Sequence, residues 1–233
     1  MVTAHRWLGT WRQCVDRYVA MSEFARAKFI AGGLPADKVA VKPNFCVDPG
    51  MGPGGDYALF VGRLSAEKGI ETLMAAWSRL GGRVPLVIVG DGPLAPKVQE
   101  FVARTDRCQW LGRQPRTRVF ELMRNAMFLV VPSECYEMFP LVLAEAYATG
   151  LPVIGSRLGG VGAVIVDGQT GLHARPADAD DLATKVEWAV SHPNALTEMR
   201  GHARAEFEAR YTPERNYQML MEIYDRARSV AVA

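Results

Sequence analysis

Short, nearly unbroken apolar runs alternate with stretches of helical periodicity along this chain. Runs at 57–61, 85–89, 109–111, 128–131 and 151–154 each end at a glycine or proline: Gly62, Gly90, Gly112, Pro132 and Gly155. Helical patterns follow four of them, at 67–80, 93–104, 116–125 and 140–149. The runs lack polar alternation, as expected for strands covered on both faces. Repeated strand–helix units with short Gly-rich junctions predict an α/β fold on a single doubly wound parallel sheet with right-handed crossovers. A weaker β-α-β pattern lies upstream, at 17–21, 22–31 and 39–41, with Ser22 as helix cap and Gly32-Gly33 as helix stop. Residues 49–55 read as an exposed Gly/Pro connector, and 170–174 as a short strand carrying His173. Helices over 178–191, 194–209 and 212–228 close the chain, each opening on a capping-type residue.

Composition narrows the class. The 233 residues allow one generous domain or two small ones. A hydrophobic fraction of 49% with 22% charged residues argues against disorder. A net charge of +2 is too small for a nucleic-acid footprint, so no nucleic-acid partner is expected. The four cysteines form no C-x-x-C pair and the four histidines are scattered, so no metal site is expected. No apolar run approaches the ~18 residues of a membrane span, and 1–20 has no signal-peptide core. The expected location is cytoplasmic, with peripheral attachment to a membrane left open. Trp7 and Trp11 lie among arginines and read as a helix face packed on other elements.

Open parallel sheets bind ligands beyond the carboxyl ends of their strands, so the junctions carry the chemistry. Pro140 suits a first helical position, and Gly150 and Pro152 stop that helix. Its start offers free N–H groups and a positive dipole end to an anion such as a phosphate. Glu137 precedes the helix and Glu145 lies inside it. Eight helical residues span about 12 Å, wider than the ~5–9.5 Å of a glycosidase pair. Two acceptor-only carboxylates at that spacing suit two hydroxylated rings flanking a diphosphate, which describes a nucleotide-sugar. Both acids read equally well as surface charges complementing a helix start. Arg63 and Lys68, after the first clear strand, are cations suited to phosphate or else a solvated pair. Gly90-Asp-Gly-Pro-Leu-Ala95 fits G-x-G-x-x-A, the dinucleotide fingerprint. It lacks the acid that should end the next strand and reads better as a tight strand–helix turn.

Taken together, the segments FVGRLSAEKGIETL (60–73), VIVGDGP (87–93), WLGR (110–113), PSECYEMFPLVLAEAYATGLPVIGS (132–156) and VDGQTGLHARPADADDLA (166–183) resemble the nucleotide-sugar-binding half of GT-B glycosyltransferases of the retaining family GT4. The resemblance covers roughly 15–228, with 1–14 a residual segment and 229–233 a tail. It implies a Rossmann-like C-terminal GT-B domain. It implies that Glu137 contacts the donor hexose and Glu145 the ribose, while Arg63 and Lys68 hold the diphosphate and stabilise its leaving charge. Glu137, Arg63 and Lys68 are thus the expected catalytic residues. Backbone groups of Gly62, Met138, Phe139, Leu141 and Val142 would line the donor, and Leu111, Gly112 and Arg113 would face the base. No cofactor or catalytic metal is expected.

Departures from the family pattern are Met138 where a small residue is frequent, Phe45 where glycine is frequent, and Ala163 where glutamate is usual. The family's N-terminal acceptor domain has no room before residue 15. The expectation is therefore half an enzyme, a truncation or a naturally split subunit, with weak or no transfer activity alone. The missing partner is an acceptor domain or acceptor subunit. The last helix must then repack locally, swap, or leave apolar surface exposed, which leaves open a dimer. Two further readings stand: a non-catalytic donor-binding subunit, and an NAD(P)-dependent oxidoreductase built on Gly90 and Gly92.

Overall fold

The computed structural model describes residue 5 and residues 7–231. The first elements are α1 (Thr10–Gln13), β1 (Tyr18–Ala20), α2 (Glu23–Ala31) and β2 (Val39–Val41). Ser22 starts α2 because its hydroxyl accepts the Ala25 N–H at 3.2 Å. β1 and β2 pair in parallel with each other and do not join the main sheet. The expected single sheet is therefore a main sheet plus this pair, whose three-residue strands share a small core of Ala20, Ala25 and Val39.

Eight helices and six strands follow. They are β3 (Ala58–Val61), α3 (Ile70–Leu80), β4 (Leu86–Val89), α4 (Ala95–Arg104), β5 (Cys108–Trp110), α5 (Arg116–Arg124), β6 (Phe128–Val131), α6 (Leu141–Ala148), β7 (Val153–Ser156), α7 (Gly159–Val164), β8 (Gly171–Ala174), α8 (Ala179–Ser191), α9 (Pro193–Arg210) and α10 (Pro213–Ala231). The sheet order is β5-β4-β3-β6-β7-β8, all parallel. The chain winds outward from β3 to β5, then returns to start again at β6. The order reverses between β3 and β6, and a crevice opens there in doubly wound sheets. β3 and β6 share two register pairs, Ala58 with Phe128 and Leu59 with Leu129. β3 and β4 share four.

Alternation along β3 sends Ala58 and Phe60 to one face and Leu59 to the other. The first face packs on Ile70, Leu73, Trp77 and Leu80 of α3 and on Leu182 and Val186 of α8. The second packs on Leu143 and Tyr147 of α6 and Phe207 of α9. Trp77 is fully buried because its indole N–H reaches the Val84 carbonyl at 2.9 Å.

Two expectations change. The helix expected over 67–80 is a 3₁₀ turn at Ala66–Lys68, broken by Gly69 at φ 69°, and only then α3. A Cβ on Gly69 would lie 1.9 Å from the Pro132 carbonyl oxygen, so the turn is pressed against the end of β6. Trp7 is 90% exposed and Trp11 42%, so the expected packed face is open among the described residues. The last helix packs on the segment after β2: buried Asn216 of α10 donates to the Pro43 carbonyl at 2.7 Å and accepts from Lys42 at 2.9 Å. It also leaves Tyr217, Met221 and Tyr224 exposed.

Candidate functional site at the sheet reversal

Lys68 and Glu137 meet where the sheet order reverses. Lys68 rides on the 3₁₀ turn after β3, and Glu137 sits in the loop after β6. Lys68 Nζ lies 2.6 Å from Glu137 Oε2, with side chains 31% and 12% exposed. The Ser133 hydroxyl donates to Glu137 Oε1. The loop backbone is pinned as well. Gly160 N–H donates to the Glu137 carbonyl at 2.6 Å, and the Ser22 hydroxyl donates to the Met138 carbonyl at 2.6 Å. A Cβ on Gly160 would stand 2.3 Å from the Met138 carbonyl oxygen, so glycine permits this contact. Glu134 N–H also bonds the Glu67 carbonyl at 2.9 Å, tying the two loops together.

Arg63, two residues after β3, is exposed and near enough to Glu67 to help hold that carboxyl below its usual range, after the Ser65 hydroxyl that does so most. Pro140 is the residue before α6 and not its first helical residue, and no side chain caps the helix start. Leu141 is exposed and Val142 half-buried at that start. Phe139 is buried: its ring lies 5.3 Å from that of Tyr211, and its carbonyl accepts from Asn44 at 3.2 Å. Met138 and Tyr136 are exposed, and the Tyr136 ring lies tilted against Phe24 of α2, with centroids 5.0 Å apart.

Glu145 is separate from the Lys68 pair. It projects from α6 to Arg116 of α5, 3.2 Å away, with 13% of its side chain exposed. Burial raises its pKa, and the Arg116 charge and hydrogen bond oppose that shift. Arg116 also reaches Cys46 Sγ at 3.7 Å. Burial first, and then the Glu145 charge, push the Cys46 thiol up to about 11, which keeps it protonated at neutral pH.

The strand ends between these groups form a rim of backbone. Gly62 N–H donates to Val89 and Gly90 N–H to Gly112. A Cβ on Gly90 would fall 1.8 Å from the Gly62 carbonyl oxygen, and one on Gly92 2.5 Å from that of Leu64. These glycines are required by contact between neighbouring strand-end loops, the tight-turn reading, and so lend no weight to a dinucleotide fingerprint. Leu111 and Gly112 are half-buried and Arg113 exposed at the end of β5. Among the described residues no group of three or more His, Cys, Asp or Glu is arranged to hold a metal ion. Among them too, no helix is long and apolar enough to cross a membrane.

Reading the sequence brought Lys68 and Glu137 into one set, and they touch. It missed Arg116, which stands outside the quoted segments, and Ser133, which lies inside one but was given no role, as carboxylate partners. It also missed Gly159-Gly160 as the support of the Glu137 loop, although a glycine pair opening a helix was the available signal.

Known proteins resemble the chain in sequence and fold. An uncharacterized glycosyltransferase of Methanocaldococcus jannaschii is 33% identical over 175 residues, 73% of this chain and 49% of that one. Glycogen synthase of Mycobacterium tuberculosis is 35% identical over 164 residues, 67% of this chain and 38% of that one. The chain thus spans about half or less of the length of these relatives. A Rickettsia africae glycosyltransferase crystal structure superposes with TM-score 0.83 at 19% identity, over 96% of this chain and 67% of that one. Anabaena HepE, crystallised with UDP and glucose, superposes with TM-score 0.80 at 20% identity, over 90% of this chain and 63% of that one. The fold is that of the C-terminal domain of a GT-B glycosyltransferase. Residues 48–206, well over half of the chain, match the model of the glycosyl transferases group 1, and this protein belongs to that family.

Proposed function

We propose that this chain is the donor-binding half of a retaining, GT4-like glycosyltransferase. The crevice at the sheet reversal holds a nucleotide diphosphate-sugar. Its diphosphate lies between Arg63, Lys68 and the start of α6. Glu137 accepts hydrogen bonds from the hexose hydroxyls, and Glu145 accepts from the ribose. Gly62, Met138, Phe139, Leu141 and Val142 line the donor, and Leu111, Gly112 and Arg113 face the base. When the sugar C1–O bond breaks, its electron pair stays on the phosphate oxygen. The two cations and the helix dipole stabilise that charge, and no metal is needed for it. An acceptor domain, on the same polypeptide or a partner, closes the other wall of the crevice and supplies the acceptor hydroxyl.

The single observation that supports this most is the 2.6 Å contact of Lys68 with Glu137, from loops 69 residues apart, at the sheet reversal. Family membership and the UDP bound to Anabaena HepE point the same way. Titration calorimetry with UDP, GDP and ADP is the test. One of them gives saturable heat; silence from all three, with folded protein, overturns the reading. Arg63→Ala weakens diphosphates more than monophosphates, and equal losses would remove Arg63 from the diphosphate.

A further inference from the structure

The contact between Lys68 and Glu137 is odd for a site that receives a diphosphate. The cation expected to meet the ligand is already engaged by a carboxylate 2.6 Å away. That carboxylate cannot easily swing aside. The Ser133 hydroxyl donates to its second oxygen, and the loop's backbone is pinned where Gly160 donates to the Glu137 main-chain carbonyl and Ser22 to that of Met138. A fixed negative charge therefore stays beside the place where the phosphates arrive.

Cations alone would make a poor choice between donor and product. Loss of the sugar leaves the terminal phosphate with an additional ionisable oxygen. The spent nucleoside diphosphate is thus more anionic than the donor, and Arg63 with Lys68 would hold it more tightly. A carboxylate at Lys68 acts against this in two ways. It repels the more anionic ligand more strongly in a half-sheltered site where screening is weak. It also accepts hydrogen bonds from sugar hydroxyls, which only the donor possesses.

We propose that Glu137, through its fixed pairing with Lys68, makes the site prefer the sugar-loaded nucleotide over the spent nucleoside diphosphate and so promotes release of the product. The inference rests on the donor-site reading above and assigns Glu137 a role in discrimination besides hexose contact.

The test is calorimetry on the full chain with matched pairs: UDP and UDP-glucose, GDP and GDP-mannose, ADP and ADP-glucose. The readout is the ratio of the two Kd values within the pair that binds. Glu137→Gln keeps the shape and removes the charge. It shifts the ratio towards the free diphosphate by on the order of tenfold, the scale of one charge-assisted hydrogen bond. Lys68→Met leaves the carboxylate uncompensated and shifts the ratio the other way. Thermal melts establish that both variants fold, and Lys68→Met carries the test alone if Glu137→Gln does not. A Glu145→Gln control weakens both ligands of a pair alike. A ratio unchanged within twofold, or moved towards the donor in Glu137→Gln, overturns the discrimination role while leaving the donor site intact. No binding of any pair by the wild-type chain removes the donor site itself, and the discrimination role with it.

Discussion

Replacing Gly69 with alanine should damage both the fold and the site. Gly69 sits at φ 69°, left-handed space that costs an L-residue about 1 kcal/mol. The added Cβ would stand 1.9 Å from the Pro132 carbonyl oxygen and 2.7 Å from its carbon. Both atoms are backbone at the end of β6, so relief needs a shift of the turn or the strand of more than an ångström. Overpacking of that kind costs roughly 1–3 kcal/mol. The total is about 2–4 kcal/mol. Gly81 supplies the internal control, because its φ is 58° with nothing within 4 Å of a built Cβ. Gly81→Ala should therefore lose only the conformational part, about 1 kcal/mol. Urea unfolding of both variants, with unchanged m, gives the comparison. The displaced turn also carries Lys68 away from Glu137, so Gly69→Ala weakens nucleotide diphosphate binding while Gly81→Ala does not. Equal losses of stability in the two variants would refute the argument that backbone contact with Pro132 sets this turn.

Glu145→Gln should trade stability against binding. An acid whose folded pKa is raised costs stability wherever it is ionised, above that pKa, and the cost disappears as pH falls through it. Melting temperatures from pH 4 to 8 should show the variant equal to or above wild type near neutrality, and the difference closing in acid, while calorimetry shows weaker nucleotide binding. Asp48 has the opposite sign, since its hydrogen bond to Arg204 is the main cause holding its pKa down. Asp48→Asn should lose up to about 1 kcal/mol above the ordinary carboxylate pKa, because the carboxylate is 45% exposed. The loss should vanish as pH falls through the depressed value, as read by denaturant midpoints at pH 2.5 and 7. Ser22→Ala removes both a helix cap and the Met138 carbonyl's donor. It should cost about 1–2 kcal/mol in chemical denaturation, and a midpoint matching wild type would contradict the buried geometry of that hydroxyl.

Much of this arrangement was legible because strands, glycines and charges follow local rules. The five apolar runs and the short strand at 170–174 announced the sheet, and the residue after each of the five announced the rim. The carboxylates at 137 and 145 stood out by their place around a proline-led helix. What stayed hidden depends on the chain meeting itself. Arg116 looks like any surface arginine until α5 is laid beside α6 and its guanidinium reaches Glu145. Ser133 and Ser22 are ordinary polar residues until tertiary contact gives each a carboxylate or carbonyl to serve. The break at Gly69 was missed because helical periodicity runs through it, and only the nearness of Pro132 forbids the helix. The separate pairing of β1 and β2 was likewise invisible, since three-residue strands do not encode which sheet they join.

The seam between β3 and β6 rests on two register pairs, against four between β3 and β4. Pulling the molecule apart along that line sacrifices fewer ladder bonds than prising the better-paired β3 from β4. The Lys68–Glu137 bridge crosses the same line from above, like a clasp over a hinge. The Lys68–Glu137 bridge and the bond from Glu134 N–H to the Glu67 carbonyl therefore supply, above the strand ends, part of the hold that the short ladder leaves out.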